Sequence, residues 1–470
     1  MGASVRLDPR TIVWGGGAVL VGGSPWRISR LSATTRDIVL DIHRQGPYGR
    51  SATSAQDLAV YRELIDRGFA FLLPGRANSG RACGSVVPAM DRPDLLERCL
   101  ASLSGSDVTV VDDGSVDGTA IAGVVRRSGF RLISLPVNIG PAGARNAGFR
   151  ESEGEFVAFI DSDCTAPAGW PNSMLHHFDD PSVAVVAPRV LGRELSSGVI
   201  ERYERTRSSL DMGVRAELVR PGSRLGFIPS AALIVRRSAF VGFDESLRVG
   251  EDVDLIWKLV ESGWHVCYDP EVIVHHEIRT NPQQWLARRF QYGTSAPDLE
   301  VRHPGNLAPA RLSAWNVGIL ALLTLGRPVL ATSVAAAATV ALAASMRSIP
   351  RGSLLAGRVV GQGLLADSAS IGHLLRREWW PVGAVALALV PKSRPARVAA
   401  ITMLAPIALE WVTRERYLDP VRYTVLRLVD DASYGSGVIA NSLRARKFAP
   451  LLPKIRLPKV RLSGVHAHRK

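Results

Sequence analysis

Twice between residues 108 and 163 a short run of β-type residues breaks off in carboxylates: "VTVVDDGS" and "FVAFIDSDC". Apolar runs this short and continuous read as strands buried on both faces, as in a sheet covered by helices on each side. The neighbouring segments agree. "ACGSVVPA" and "RLISLP" are further strands, "DLLERCLASL" is an amphipathic helix, and "GPAGARNAGFRES" is a helix opened by Gly140 and Pro141. Strand and helix signals alternate over residues 80–300, which predicts an α/β domain with a largely parallel sheet. In such sheets ligands bind at the carboxyl ends of the strands, and Asp112, Asp113, Asp161 and Asp163 all fall there. A polar turn would account for each pair, since Asp tolerates turn geometry. A divalent cation held against a phosphorylated ligand is the sharper reading, and a second Asp-x-Asp at Asp252–Asp254 leaves the choice to context.

The flanks have a different character. Residues 1–78 hold glycine-punctuated β-type runs ("GGGAVLVGGSPWRISRLS"), a helical run from Thr35, and a second helix opened by Ser54 and Asp57 in capping-box spacing. Leu58, Tyr61, Leu64 and Ile65 recur on one helical face, Gly68 stops the helix, and "FAFLLP" supplies a closing strand. The order suggests a small winged-helix-like α+β module. Its helices are not basic enough to argue for DNA.

Residues 307–442 carry uncharged stretches at 312–326, 328–346, 379–391 and 398–409. A bilayer span takes about 20 mostly apolar residues, so only the second approaches that length; buried helices of a soluble domain are the competing reading. Residues 443–470 hold nine Lys or Arg and no acid, which leaves about +5 of the +14 net charge on the rest of the chain. Prolines in "LLPKIRLPKVRL" forbid a continuous helix, so this tail is expected to be an extended, mobile arm suited to anionic headgroups. Phe448 is its only aromatic, so it lacks the stacking platforms of a nucleic-acid binder, and no nucleic-acid partner is expected. Four scattered cysteines without a CxxC pair exclude a disulfide framework and fit a reducing cytosol. With no signal-peptide pattern at the N-terminus, the expected location is the cytoplasmic face of the plasma membrane.

Read together, Asp112-Asp113-Gly114-Ser115, "GPAGARN" with Arg145, Asp161-x-Asp163 and Gly250-Glu251-Asp252 resemble the family-2 glycosyltransferases of the GT-A fold, over roughly residues 83–295. The resemblance implies an inverting, metal-dependent transfer from a nucleotide-diphosphate sugar. Asp163 would ligate Mg²⁺ or Mn²⁺, with Asp161 beside it at the metal or ribose. Asp112 and Asp113 would face base and ribose, and Arg145 would contact the donor or serve the fold. Hard cations of this kind take oxygen ligands and offset the charge on a diphosphate leaving group. Asp252, at the opening turn of the helix "EDVDLIWKLVESG", would be the general base, kept ionised by the helix N-terminus. Glu251 is the first alternative. Asp254 is expected to be an exposed helix residue. Of the pair ending "VIVHH", His275 is a possible metal neighbour. Trp285 in "QQWLARRFQYG" would lie on the acceptor side, although its order relative to Arg288 and Arg289 departs from the family pattern.

The whole arrangement, through "LRVGEDVDLIWKL" and "IVWGGGAVL", is similar to the glycosyltransferases of mycofactocin systems, which pair a PqqD-like N-terminal region with such a domain. That resemblance implies glucose transfer from UDP-glucose onto a peptide-derived redox cofactor precursor, building a short β-1,4-glucan. A membrane glycosyltransferase making a lipid-linked or cell-wall glycan is an alternative. A sugar-1-phosphate nucleotidyltransferase lacks its expected Lys in "SVVPAMDRPD", and a peptide-binding adaptor with an inactive transferase domain is opposed by the intact acidic motifs.

Overall fold

The computed structural model describes residues 4–73, 81, 83–193, 198–414, 416–457 and 463–465; the boundary expected near residue 78 lies outside them. The centre of the molecule is a nine-stranded mixed sheet. Its path runs Cys164–Thr165, His265–His276, Val183–Gly192, Ala232–Arg236, Phe156–Ile160, Cys83–Ala89, Val108–Asp112 and Arg131–Ser134, with Glu217–Leu218 added beside His265–His276. The last four strands of the path are mutually parallel. Ala232–Arg236 is antiparallel to both its neighbours.

Alternation within the strands explains why the sheet is dry on both sides. Phe156, Ala158 and Ile160 enter one core with the helices Pro93–Ser102 and Gly118–Ser128. Val157 and Phe159 enter the other with the helices Pro141–Glu151 and Glu251–Glu261. Full burial of such side chains stabilises by roughly 1.5–3 kcal/mol each.

The N-terminal segment forms a three-strand sheet (Arg50–Ser51, Ser4–Leu7, Ala70–Leu72) and a meander (Ile12–Trp14, Val19–Gly22, Arg27–Leu31), with the helices Ala33–Gln45 and Ala55–Asp66. The capping box at Ser54 and Asp57 is present. Leu20 packs inward with Val39, Ile42 and Leu64. Val19 and Val21, on the other face of that strand, pack instead against Leu342, Met346 and Leu355 of the C-terminal helices.

Six helices follow the sheet domain: Ala314–Thr324, Pro328–Ser345, Gly352–Arg376, Trp380–Ala388, Arg394–Thr413 and Pro420–Ala445. Pro328–Ser345 and Arg394–Thr413 are long and apolar enough to cross a membrane, with mean hydropathies of 1.7 and 1.3, yet only 11% and 22% of those windows are buried. The reading of these two as buried helices of a soluble core is therefore not what the fold shows; Val329, Val340, Ile401 and Leu409 stand exposed.

The basic tail corrects another expectation. It is not a free arm throughout: Lys454–Arg456 pairs in parallel with Arg311–Ser313, and Ser463–Val465 pairs in parallel with Arg27–Leu31. Prolines bar a continuous helix but leave a 3-10 turn at Ala449–Leu451 and short strands at open edges.

Candidate active site

A cleft of about 790 Å³ opens at the carboxyl ends of the parallel strands. One wall is the acidic turn after Phe156–Ile160. Asp161 and Asp163 both line the cleft and are half-buried. Nε2 of His276 lies 3.2 Å from Oδ2 of Asp163. Burial opposes ionisation of Asp163, but the charges of His276, Arg279 and Arg92 outweigh it and hold its carboxyl below the usual range. The His276 imidazolium is favoured in turn: burial works against it and Asp163 more than compensates.

The opposite wall is the start of the helix Glu251–Glu261. Gly250 caps it at φ 87°, in the left-handed region, and a Cβ there would approach Ser295 Cβ to 3.0 Å; glycine meets both demands. Asp252 lines the cleft, its Oδ2 accepting from the Ser230 N–H at 3.3 Å and its Oδ1 from the Val253 N–H at 2.8 Å. Burial pushes its carboxyl up against those hydrogen bonds. Burial, and then the Asp252 charge, push Glu251 up to about 7. Burial thus acts against ionisation at this helix N-terminus.

Arg145 joins the walls. It is 3% exposed, on the helix Pro141–Glu151, with Nη2 2.6 Å from Asp161 Oδ1 and Nη1 3.2 Å from Glu251 Oε1. Asn146 anchors the approach to Gly250 through two bonds to the Phe243 backbone and one to Glu245.

Four expected site residues, and Asp254, need separate comment. Asp113 lines the cleft while its carboxylate accepts from the Ile139 and Gly140 N–H groups at 2.8 and 2.9 Å. Asp112 does not line it: its Oδ1 holds the N–H and hydroxyl of Ser115 and so shapes the turn. His275 is exposed and points away, because successive strand residues alternate faces; His276 is the cleft histidine. Trp285 does not line the main cleft; it lines a small adjoining pocket with Arg288 and Tyr292. It is buried, donates to Glu204 at 2.8 Å and meets Tyr203 edge-on, while Arg288 and Tyr292 of the same helix, Pro282–Thr294, reach the cleft. Asp254 is not exposed but fully buried, 2.7 Å from Lys258 Nζ and 3.0 Å from His303 Nε2, and is absent from the cleft wall. The second Asp-x-Asp is therefore a structural ion cluster around one cleft residue.

The sequence reading missed the far wall altogether. Arg427, Asp430, Asp431 and Tyr434 of the helix Pro420–Ala445 line the cleft. That helix sits against Pro282–Thr294 at backbone contact: a Cβ on Gly437 would come within 2.0 Å of the Phe290 carbonyl oxygen, and one on Gly293 within 2.0 Å of that of Tyr434. Asp430 accepts from Tyr203 OH at 2.8 Å and pairs with Arg289 Nε at 2.8 Å.

The donor set at Asp161 and Asp163, carboxylate oxygens on an open cleft with an imidazole alongside, suits a hard divalent cation that keeps waters and substrate phosphates.

The Glycosyl transferase family 2 profile matches residues 85–241. The pre-mycofactocin glycosyltransferases of Mycobacterium tuberculosis strains CDC 1551 / Oshkosh and H37Rv are 36% identical over 471 residues, 97% of this chain and 98% of theirs. The succinoglycan biosynthesis protein ExoO of Rhizobium meliloti is 29% identical over 218 residues, 41% of this chain and 60% of its own. Among solved structures, the mannosyltransferase PcManGT from Pyrobaculum calidifontis in complex with GDP-Man and Mn²⁺ aligns at 18% identity and a TM-score of 0.43, covering 78% of this chain and 89% of that one. The chain belongs to the family of pre-mycofactocin glycosyltransferases, family-2 enzymes with a GT-A domain and a helical C-terminal region.

Proposed function

We propose that this enzyme transfers glucose from UDP-glucose onto pre-mycofactocin, a peptide-derived redox cofactor precursor, with inversion, and extends it into a short β-1,4-glucan. The observation that carries the reading is the placement of two carboxylate pairs on facing walls of one cleft, bridged by Arg145. Relatives aligned over nearly the full length are named pre-mycofactocin glycosyltransferases, which supports the acceptor and the reaction class.

In this reading Asp163 and Asp161 would hold a Mg²⁺ or Mn²⁺ ion, which would supply positive charge against the diphosphate leaving group. Asp113 and the glycine-rich turn at Gly140 receive the nucleoside, and Arg145 keeps Asp161 oriented. The acceptor hydroxyl lies toward Glu251, Arg288 and the far wall. Its oxygen forms the new bond to the anomeric carbon as the bond to the diphosphate oxygen breaks, and its proton passes to Asp252. A single displacement with one base inverts the configuration. Raised by burial, Asp252 is closer in proton affinity to its task than a solvated aspartate would be.

Residues 1–78, 80–300, 307–442 and 443–470 are taken as module, catalytic domain, apolar region and basic tail. The exposed apolar faces of Pro328–Ser345 and Arg394–Thr413 support residence at the cytoplasmic face of the plasma membrane.

The test is a transfer assay with UDP-glucose, offering pre-mycofactocin and an undecaprenyl phosphate acceptor in parallel. Hexose added to pre-mycofactocin alone, in a β-linkage by NMR, supports the proposal; transfer only to the lipid replaces it with lipid-linked glycan synthesis. Fractionation of the same lysate separates two kinds of membrane contact. Headgroup attraction to the tail is screened within about 3 Å at 1 M salt, so salt releases a chain held by charge, and detergent alone releases one held by its apolar helices.

A further inference from the structure

Outside the cleft, the 3-10 helix Asn172–Asp179 places two adjacent histidines over the strand His265–His276. His176, His177 and Asp269 each offer one ligand atom, and these atoms lie within 4.8 Å of one another. None of the three lines the cleft. We propose that they form a second metal site, for a borderline transition cation of the Zn²⁺ type, separate from the site at Asp163.

The protonation pattern is what a ligand set requires. Nδ1 of His176 is 2.9 Å from the Ser173 carbonyl oxygen, which can only accept, so Nδ1 carries the proton and Nε2 presents a lone pair. Nε2 is buried and has no hydrogen-bond partner among the described residues, in a side chain only 8% exposed. A buried acceptor of this kind is normally satisfied by a hydrogen bond, an ordered water or an ion. Metal-bound histidines commonly donate their other ring N–H to a backbone carbonyl, which fixes tautomer and ring orientation.

The other two groups converge. Nε2 of His177 is 2.8 Å from Oδ2 of Asp269, while Oδ1 of Asp269 is held by the Glu271 N–H at 3.0 Å. A cation entering between them displaces the Nε2 proton of His177, which moves to Nδ1 or to solvent. His177 is partly exposed and leaves an entry path. Two imidazoles and a carboxylate fit Zn²⁺ with water in a fourth position; Mg²⁺ prefers an all-oxygen set. Burial also disfavours the His176 imidazolium, in keeping with a neutral ligand.

The location suggests what the site does. Asp269 begins the irregularity in its strand, where the partner Val183–Gly192 steps from Pro188 to Arg189 against Asp269 and Ile273. Beyond that bulge the strand delivers His276 to Asp163. A cation at Asp269 pins the bulge to the helix beneath it and so fixes the register of the strand that reaches the cleft.

The experiment uses the full chain carrying Asp163→Asn, to silence the cleft, stripped with chelator and titrated with ZnCl₂ by calorimetry in excess Mg²⁺. The expected result is one Zn²⁺ per chain, a raised melting temperature with Zn²⁺, and loss of both when His176→Gln is added. Co²⁺ in place of Zn²⁺ gives the intense visible bands of four-coordinate nitrogen and oxygen ligation, and these disappear with the same substitution. If His176→Gln does not fold, His177→Ala, at the more open position, is read in its place. Failure of the Asp163→Asn chain to bind Zn²⁺ stoichiometrically overturns the proposal, as does binding unchanged in the histidine variant.

Discussion

Nη2 of Arg145 lies 2.6 Å from Oδ1 of Asp161. Because the other arm of the same guanidinium reaches Glu251, one buried cation ties the metal-side turn to the helix that carries the candidate base. Removing it leaves two carboxylates uncompensated across the cleft, and breaking a buried pair by deleting one partner costs about 3–5 kcal/mol. Arg145→Met should therefore lower the urea midpoint markedly and raise KM for the donor. A variant with wild-type stability and donor KM would show that the bridge is dispensable.

Asp163→Asn keeps the size of the side chain and removes its charge. Mn²⁺ titrated in the presence of UDP should bind at least tenfold more weakly to this variant than to the wild type, because an amide is a poor ligand for a hard cation. Equal affinity would place the metal elsewhere.

Several of these positions were legible in the sequence for a physical reason. A strand buried on both faces must end where its carboxylates meet the loops, so Asp113, Asp161 and Asp163 could be placed before any coordinates existed. The misplacements are mostly errors of parity or of distance along the chain. Asp112 and Asp113, like His275 and His276, differ by one residue and hence by which way they face, and nothing local distinguishes them. Trp285 and Arg288 lie one helical turn apart, yet Trp285 is drawn into a core completed by Tyr423, far along the chain. Asp254 reads as a surface residue until His303 packs onto it. The far wall of the cleft comes from the helix Pro420–Ala445, and composition alone says only that such a helix is mixed in polarity.

The pH profile should carry the signature of the adjacent Glu251 and Asp252 carboxyls. Both carboxyls are raised by burial, with Glu251 near 7. Protonation disables a base, so kcat/KM should climb with pH as Asp252 ionises, at a midpoint above that of a solvated aspartate, and then level off. In Glu251→Gln the climb should move to lower pH, since Asp252 then titrates without a charged neighbour. A midpoint at or below that of a solvated aspartate would contradict this.

Gly437→Val tests the far wall. Its side chain cannot fit against the Phe290 carbonyl oxygen, so the helix bearing Asp430 and Tyr434 must back away from Pro282–Thr294. Donor binding should survive while KM for pre-mycofactocin rises if the displaced groups, which line the cleft, form the acceptor end as proposed. Unchanged acceptor KM in a folded variant would remove this helix from recognition.

The central claim is that Asp252 takes the acceptor's proton in a cleft whose opposite wall holds the metal and diphosphate. Turnover of Asp252→Asn at saturating UDP-glucose and pre-mycofactocin tests it most directly, with UDP-glucose affinity measured on the same sample. Loss of a general base typically slows a reaction by about 10²–10⁴-fold, so turnover should fall within that range while donor affinity stays at its wild-type value. Turnover close to wild type with intact donor binding would contradict the account and move the base to another group, Glu251 first.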